Sequence, residues 1–120
     1  MGKVLVIEDD EQNHILMNSV LETMGHQVLH ARNGQEGLDL ASAHRPDLIM
    51  LDLRLPLLNG WEVASILKND QNLHQIPIIA VSVLVDAKDQ HRALEAGCDD
   101  FVSKPYTLSI IRACIQQHLN

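Results

Sequence analysis

The chain has 120 residues, 46% of them apolar, and carries a net charge of −7 at pH 7. That length buries one sizeable core and the apolar content excludes a disordered chain, while the short apolar runs exclude a membrane-spanning helix, which needs ~20 consecutive apolar residues. The acidic balance excludes a large nucleic-acid footprint, which requires clustered Lys and Arg.

Met1-Gly2-Lys3 passes directly into the apolar run Val4-Leu5-Val6-Ile7 without a small-residue cleavage site, so no signal peptide is expected. The run is continuous rather than alternating, as in a strand covered on both faces of a parallel sheet. It ends in Glu8-Asp9-Asp10. Met17, Val20, Leu21 and Met24 then follow helical spacing, and Gly25 stands where a helix stop is expected. Gln27 to Ala31, mixing Val28 and Leu29 with His and Gln, reads as an edge strand. Asn33 is a fitting N-cap for a second helix that carries Gly37, Leu38 and Ala41 inward and ends before Pro46.

Leu48-Ile49-Met50-Leu51 is the next continuous run, and Asp52 follows it. Asn59 caps a third helix with Val63, Ile66 and Leu67 on one face. Ile78-Ile79-Ala80-Val81 is a further run, followed by Ser82. Asp86 caps a fourth helix containing His91 and Leu94 and stopping at Gly97. Phe101-Val102 is a short last strand, followed by Ser103-Lys104-Pro105. Thr107 caps the final helix, whose buried stripe reads Leu108, Ile111, Ile115 and Leu119. Cys98 and Cys114 read as small buried side chains in a reducing compartment.

The β-α unit thus repeats along the whole chain, which reads as one domain over residues 1–120 with helices on both faces of a parallel sheet. Right-handed crossovers favour strand order 2-1-3-4-5. Ligands of such sheets bind outside the carboxyl ends of the strands. There the strand ends deliver Glu8, Asp9, Asp52, Ser82 and Lys104, with Asp10 open between joining the acids and capping the first helix. Carboxylates so crowded raise one another's pKa unless a cation sits among them, and an oxygen-only donor set suits Mg²⁺. A carboxylate nucleophile, a divalent ion, a lysine and a hydroxyl together suit phosphoryl transfer to aspartate. A flavin or nucleotide binder would want a Gly/Ser/Thr-rich phosphate loop after the first strand, where this chain has acids. An aspartyl phosphatase would want an acid at the place of Arg54.

The stretches Lys3 to Asp10, Pro46 to Pro56, Asn59-Gly60, Pro77 to Ser82, Ala96-Gly97 and Lys104-Pro105, in this order, resemble the CheY-like receiver domains of two-component response regulators. The resemblance implies a doubly wound (βα)5 flavodoxin-like fold and Mg²⁺-dependent phosphorylation of Asp52 by a histidine kinase or histidine phosphotransfer protein. It makes Asp9 a direct metal ligand, Glu8 a second acid acting through water, and the backbone carbonyl of Arg54 a further ligand. Ser82 matches the switch hydroxyl, Lys104 the active-site lysine before a cis Pro105, and Phe101 the switch aromatic. It implies a signalling domain, not a turnover enzyme. The expected setting is cytoplasmic, as a monomer or weak dimer docking a protein partner through the fourth helix, last strand and fifth helix. A stand-alone regulator is favoured, with a receiver from a hybrid histidine kinase as the alternative. Ser82 in place of the commoner Thr, Val83, Leu84 and Arg54 depart from the usual pattern and bear on how long the phosphoryl group persists.

Overall fold

Continuous Val/Ile/Leu runs place every side chain of a strand in an apolar layer, and the chain meets that requirement with a parallel sheet clothed on both faces. The computed structural model describes residues 2–83 and 87–119. The elements run β1 (Lys3–Ile7), α1 (Glu11–Thr23), β2 (Gln27–Ala31), α2 (Gly34–His44), β3 (Leu48–Asp52), α3 (Gly60–Lys68), β4 (Ile78–Ser82), α4 (Ala87–Glu95), β5 (Asp100–Ser103) and α5 (Leu108–His118). The sheet has 5 strands in the order β2-β1-β3-β4-β5, all neighbouring pairs parallel, as expected. Asp86, read as the cap of α4, and Leu84 lie outside the described residues.

Alternate residues of each strand face opposite layers. Leu5, Ile7, Ile49, Leu51, Ile78 and Ala80 pack with Ala41 of α2, Val63, Ala64 and Leu67 of α3 and Ala93 of α4. Val4, Val6, Leu48, Met50, Ile79, Val81 and Val102 pack with Met17, Val20 and Leu21 of α1 and Ile111, Cys114 and Ile115 of α5. Cys98 and Cys114 are both free and buried.

Side-chain oxygens start the helices where the sequence places them. Asp10 accepts from the Asn13 N–H at 3.1 Å, which settles its position as the cap of α1. Asn33 and Thr107 cap α2 and α5 in the same way. Asn59 and Glu62 form a reciprocal capping box on α3. Two helix faces differ from expectation. Ile66 is 47% exposed, because α3 turns Gly60, Trp61, Val63, Ala64 and Leu67 inward and leaves Ile66 off that stripe. Leu108 is also exposed: it lies in the first turn of α5, and burial on that helix begins only at Ile111.

Gly60 fixes the close approach of α3 to the end of β3. Its N–H donates to the Leu53 carbonyl at 3.0 Å, and a Cβ there would stand 2.5 Å from the Asp52 carbonyl oxygen, a backbone atom with no freedom to yield. Gly60→Ala is therefore expected to destabilise the fold by about 1–3 kcal/mol. The check is a lower urea midpoint at an unchanged denaturant slope.

Candidate functional site

Strand register decides which groups meet. Ile7 pairs with Leu51, so Glu8 comes level with Asp52. Asp52 pairs with Val81, and Ser82 follows one place on. Ser82 pairs with Ser103, and Lys104 again follows one place on. The carboxyl ends of β1, β3, β4 and β5 thus form one staggered row at a single edge of the sheet. The Lys104 backbone N–H donates to the Ser82 carbonyl at 3.0 Å, and the Lys104-Pro105 peptide is cis.

At the centre of the row lies one ammonium. Lys104 Nζ is 2.9 Å from Glu8 Oε1 and 3.1 Å from Asp52 Oδ2, and all three side chains are largely withdrawn from solvent. The second Asp52 oxygen, Oδ1, accepts from the Arg54 backbone N–H at 2.9 Å. Glu8 Oε2 accepts from the Asp10 N–H at 3.3 Å. Burial, together with the neighbouring Asp52, pushes the Glu8 carboxyl up to about 7 despite the opposing pull of Lys104. Burial works against the Lys104 charge too, but Glu8 and Asp52 outweigh it and carry the ammonium above its ordinary range.

Asp9 is exposed at the mouth of the row. One oxygen each from Glu8, Asp9 and Asp52 lie within 4.8 Å of one another. Carboxylate oxygens alone, more of them than Lys104 can neutralise, form a donor set for a hard divalent cation. Burial first, and the neighbouring Asp52 second, make the charged form of Glu8 costly here, and a cation among the acids would favour that form. The site residues fit Mg²⁺.

Ser82 is fully buried, and its hydroxyl has no hydrogen-bond partner among the described residues. Such an orphaned group costs roughly 1–3 kcal/mol. Phe101 is half-buried on the sheet face that carries Ala80, its partner across β4. The Arg54 guanidinium pairs with Asp89 of α4 (3.4 Å) and stands 5.6 Å from the Trp61 ring centre. Val83 is exposed beside Ser82.

Two residues at this edge escaped the reading of the sequence. His30, at the end of β2, places Nε2 2.9 Å from the Glu8 carbonyl oxygen, and its ring stacks on His14 of α1 with centroids 3.3 Å apart. Burial, helped by His30 and Arg32, holds the His14 imidazole below its usual range. No local pattern announces this pair, because only the packing of α1 against β2 brings the rings together.

Residues 4–116 match the family model for the response regulator receiver domain. The chain is 40% identical over 116 residues to the polar-differentiation response regulator DivK of Brucella anthropi, a match covering 97% of this chain and 94% of that protein. The receiver domain of a signal transduction histidine kinase from Syntrophus aciditrophicus superposes with a TM-score of 0.93 at 34% identity, over 99% of this chain and 90% of that one. The receiver domain of the sensor histidine kinase PA1611 from Pseudomonas aeruginosa, which holds a magnesium ion coordinated in its active-site cleft, superposes with a TM-score of 0.90 at 26% identity, over 98% and 96% of the two chains. With this fold and this edge of the sheet, the chain belongs to the response regulator receiver domain family.

Proposed function

We propose that residues 1–120 form a single receiver domain that takes a phosphoryl group on Asp52 from a phosphohistidine of a histidine kinase or histidine phosphotransfer protein. The observation that carries this reading is the Lys104 ammonium, held between Glu8 and Asp52 at 2.9 and 3.1 Å, at the sheet edge where the Ser82 hydroxyl has no partner among the described residues. An Asp52 oxygen forms the new O–P bond while the N–P bond breaks, and the departing imidazole keeps the electron pair and takes its proton from solvent. The Arg54 N–H holds Asp52 Oδ1 and so orients the carboxylate. Lys104, already on Asp52, donates to one phosphoryl oxygen, and the Ser82 hydroxyl donates to another. Mg²⁺ held by Glu8, Asp9, Asp52 and the Arg54 backbone carbonyl would supply charge neutralisation for the phosphoryl oxygens.

Movement of Ser82 toward phosphate frees space on its face of the sheet, and Phe101, opposite the small Ala80, turns inward to fill it. The surface of α4, β5 and α5 then changes shape for a protein partner, with no direct part for nucleic acid. The domain switches rather than turns over: the phosphoryl group remains on Asp52 until hydrolysis or back-transfer removes it. Near-complete coverage of DivK supports a stand-alone regulator, and the likeness to a histidine kinase's receiver supports the hybrid alternative. Among the described residues no helix is long and apolar enough to cross a membrane, and two free thiols suit a reducing cytoplasm.

Two outcomes are expected. Asp52→Asn should retain the fold and lose acid-labile labelling by acetyl phosphate with Mg²⁺, because a carboxamide is no nucleophile for phosphorus. Labelling at the wild-type rate would overturn the assignment.

The second concerns pH. Glu8 holds its proton up to about 7 in the fold but only to about 4.3 in an unfolded chain. Its contribution to stability is therefore complete below about pH 4 and is lost as the pH rises toward 7. Without divalent ions the wild type should lose on the order of 2–3 kcal/mol across that window. Glu8→Gln should flatten the fall, and Mg²⁺ should restore stability above pH 7 more in the wild type than in the variant. Urea unfolding over a pH series, with chelator or Mg²⁺, checks this; parallel curves for the two proteins would refute it.

A further inference from the structure

A second set of metal-ligating side chains lies at the opposite end of the sheet. Asp100 opens β5, where it pairs with Ile79 near the start of β4. Cys114 and His118, at i and i+4 on α5, share the helix face that meets it. Asp100 Oδ2 is 3.4 Å from Cys114 Sγ and 3.2 Å from His118 Nε2, and the three donor atoms all lie within 4.8 Å of one another. We propose that Asp100, Cys114 and His118 form a three-ligand site for a zinc-type divalent cation.

The spacing suits the ion. Bonds of about 2.3 Å to sulfur and 2.0–2.2 Å to nitrogen and oxygen, at tetrahedral angles, require donor atoms about 3.3–3.6 Å apart. Two of the three separations are already close to that range. Thiolate, imidazole and carboxylate together select zinc over magnesium, in contrast to the oxygen-only acids at the other edge. The Asp100 carboxylate is already turned the right way, because its other oxygen, Oδ1, accepts from the Phe101 N–H at 2.8 Å and leaves Oδ2 facing α5. Cys114 is buried, but the His118 and Asp100 side chains are 21% and 34% exposed, so an ion reaches the site from solvent. Protein supplies three ligands, and the fourth position is left to water or a partner's donor.

Binding exchanges two hydrogen bonds for three coordinate bonds. The Cys114 sulfur gives its proton to solvent and a lone pair to the metal. The His118 ring gives up the Nε2 hydrogen it donates to Asp100 and carries its proton on Nδ1 instead, so that Nε2 also offers a lone pair, with no change of oxidation state. The ion ties the last turn of α5 to the first residue of β5. The site is independent of Asp52 and of the reading proposed for it.

Titration with Co²⁺ tests this, because a thiolate–cobalt charge-transfer band reports sulfur ligation and the acidic site has no sulfur. In a Cys98→Ser background, where Cys114 is the remaining thiol, one Co²⁺ per chain should raise the band and Zn²⁺ should abolish it by displacement. Cys114→Ser should lose the band. Asp100→Asn and His118→Gln should each weaken binding beyond the roughly 10–100-fold cost of losing a mere outer partner. Zn²⁺ should raise Tm in the parent and not in Cys114→Ser. Retained circular dichroism and Mg²⁺-dependent labelling of Asp52 certify that each variant is folded. Absence of the band in the folded parent, or a band indifferent to Asp100→Asn and His118→Gln, would overturn the proposal.

Discussion

One ammonium between two buried carboxylates is the constraint around which the molecule is arranged. Glu8 and Asp52 stand at the ends of different strands, and Lys104, delivered by a third, lies between them. Withdrawing such charges from water costs several kcal/mol per ion, and their attraction offsets that cost only in good geometry. Removing one partner of a buried pair typically costs about 3–5 kcal/mol because a charge is left uncompensated. Register supplies the geometry: a slip of one residue in β3 or β5 would carry Asp52 or Lys104 to the other face. The apolar layers on both sides are thus also what holds three charged groups within hydrogen-bond distance.

The same arrangement leaves a deliberate imbalance. Three carboxylates and one ammonium share the edge, Glu8 keeps its proton toward neutrality, and the Ser82 hydroxyl faces no partner among the described residues. A cation offsets crowding of carboxylates, and a hydrogen-bond acceptor offsets the cost of a buried unpaired hydroxyl. The elements nearest to it differ in how firmly they are held. β3 and β4 are buried along their whole length, whereas Ala93 is the buried residue of α4 and Leu94 is 58% exposed. A helix with so little apolar burial belongs to the low-stability end of a fold, from which moving parts are drawn.

Continuous apolar runs made β1, β3 and β4 legible, and cap residues located the starts of α2, α3 and α5, whereas Asp10 stayed open between capping α1 and joining the acids. The polar groups were legible for one reason: each follows directly on an apolar run, so finding the strand finds the group. Where contact depends on helix rotation or on distant packing, the sequence is silent. Ile66 and Leu108 are as apolar as their buried neighbours, and only the docked position of α3 and α5 leaves them in water. The stacked rings of His14 and His30 and the pairing of Arg54 with Asp89 join separate elements and leave no local trace. Cys114 and His118 did carry a signal, their spacing of four on one helix, but the third member, Asp100, becomes their neighbour only through the docking of α5 on β5.

Trp61 is the single tryptophan of the chain. Its ring is buried at the start of α3, the Arg92 guanidinium of α4 lies 4.0 Å from its centre, and Arg54, two residues beyond Asp52, lies 5.6 Å away. A charge that close to an indole alters its emission. The protein consequently carries its own optical reporter, unlabelled and unique, at the junction between the proposed acceptor loop and the most lightly held helix, so that a shift of α4 is readable as a change in fluorescence.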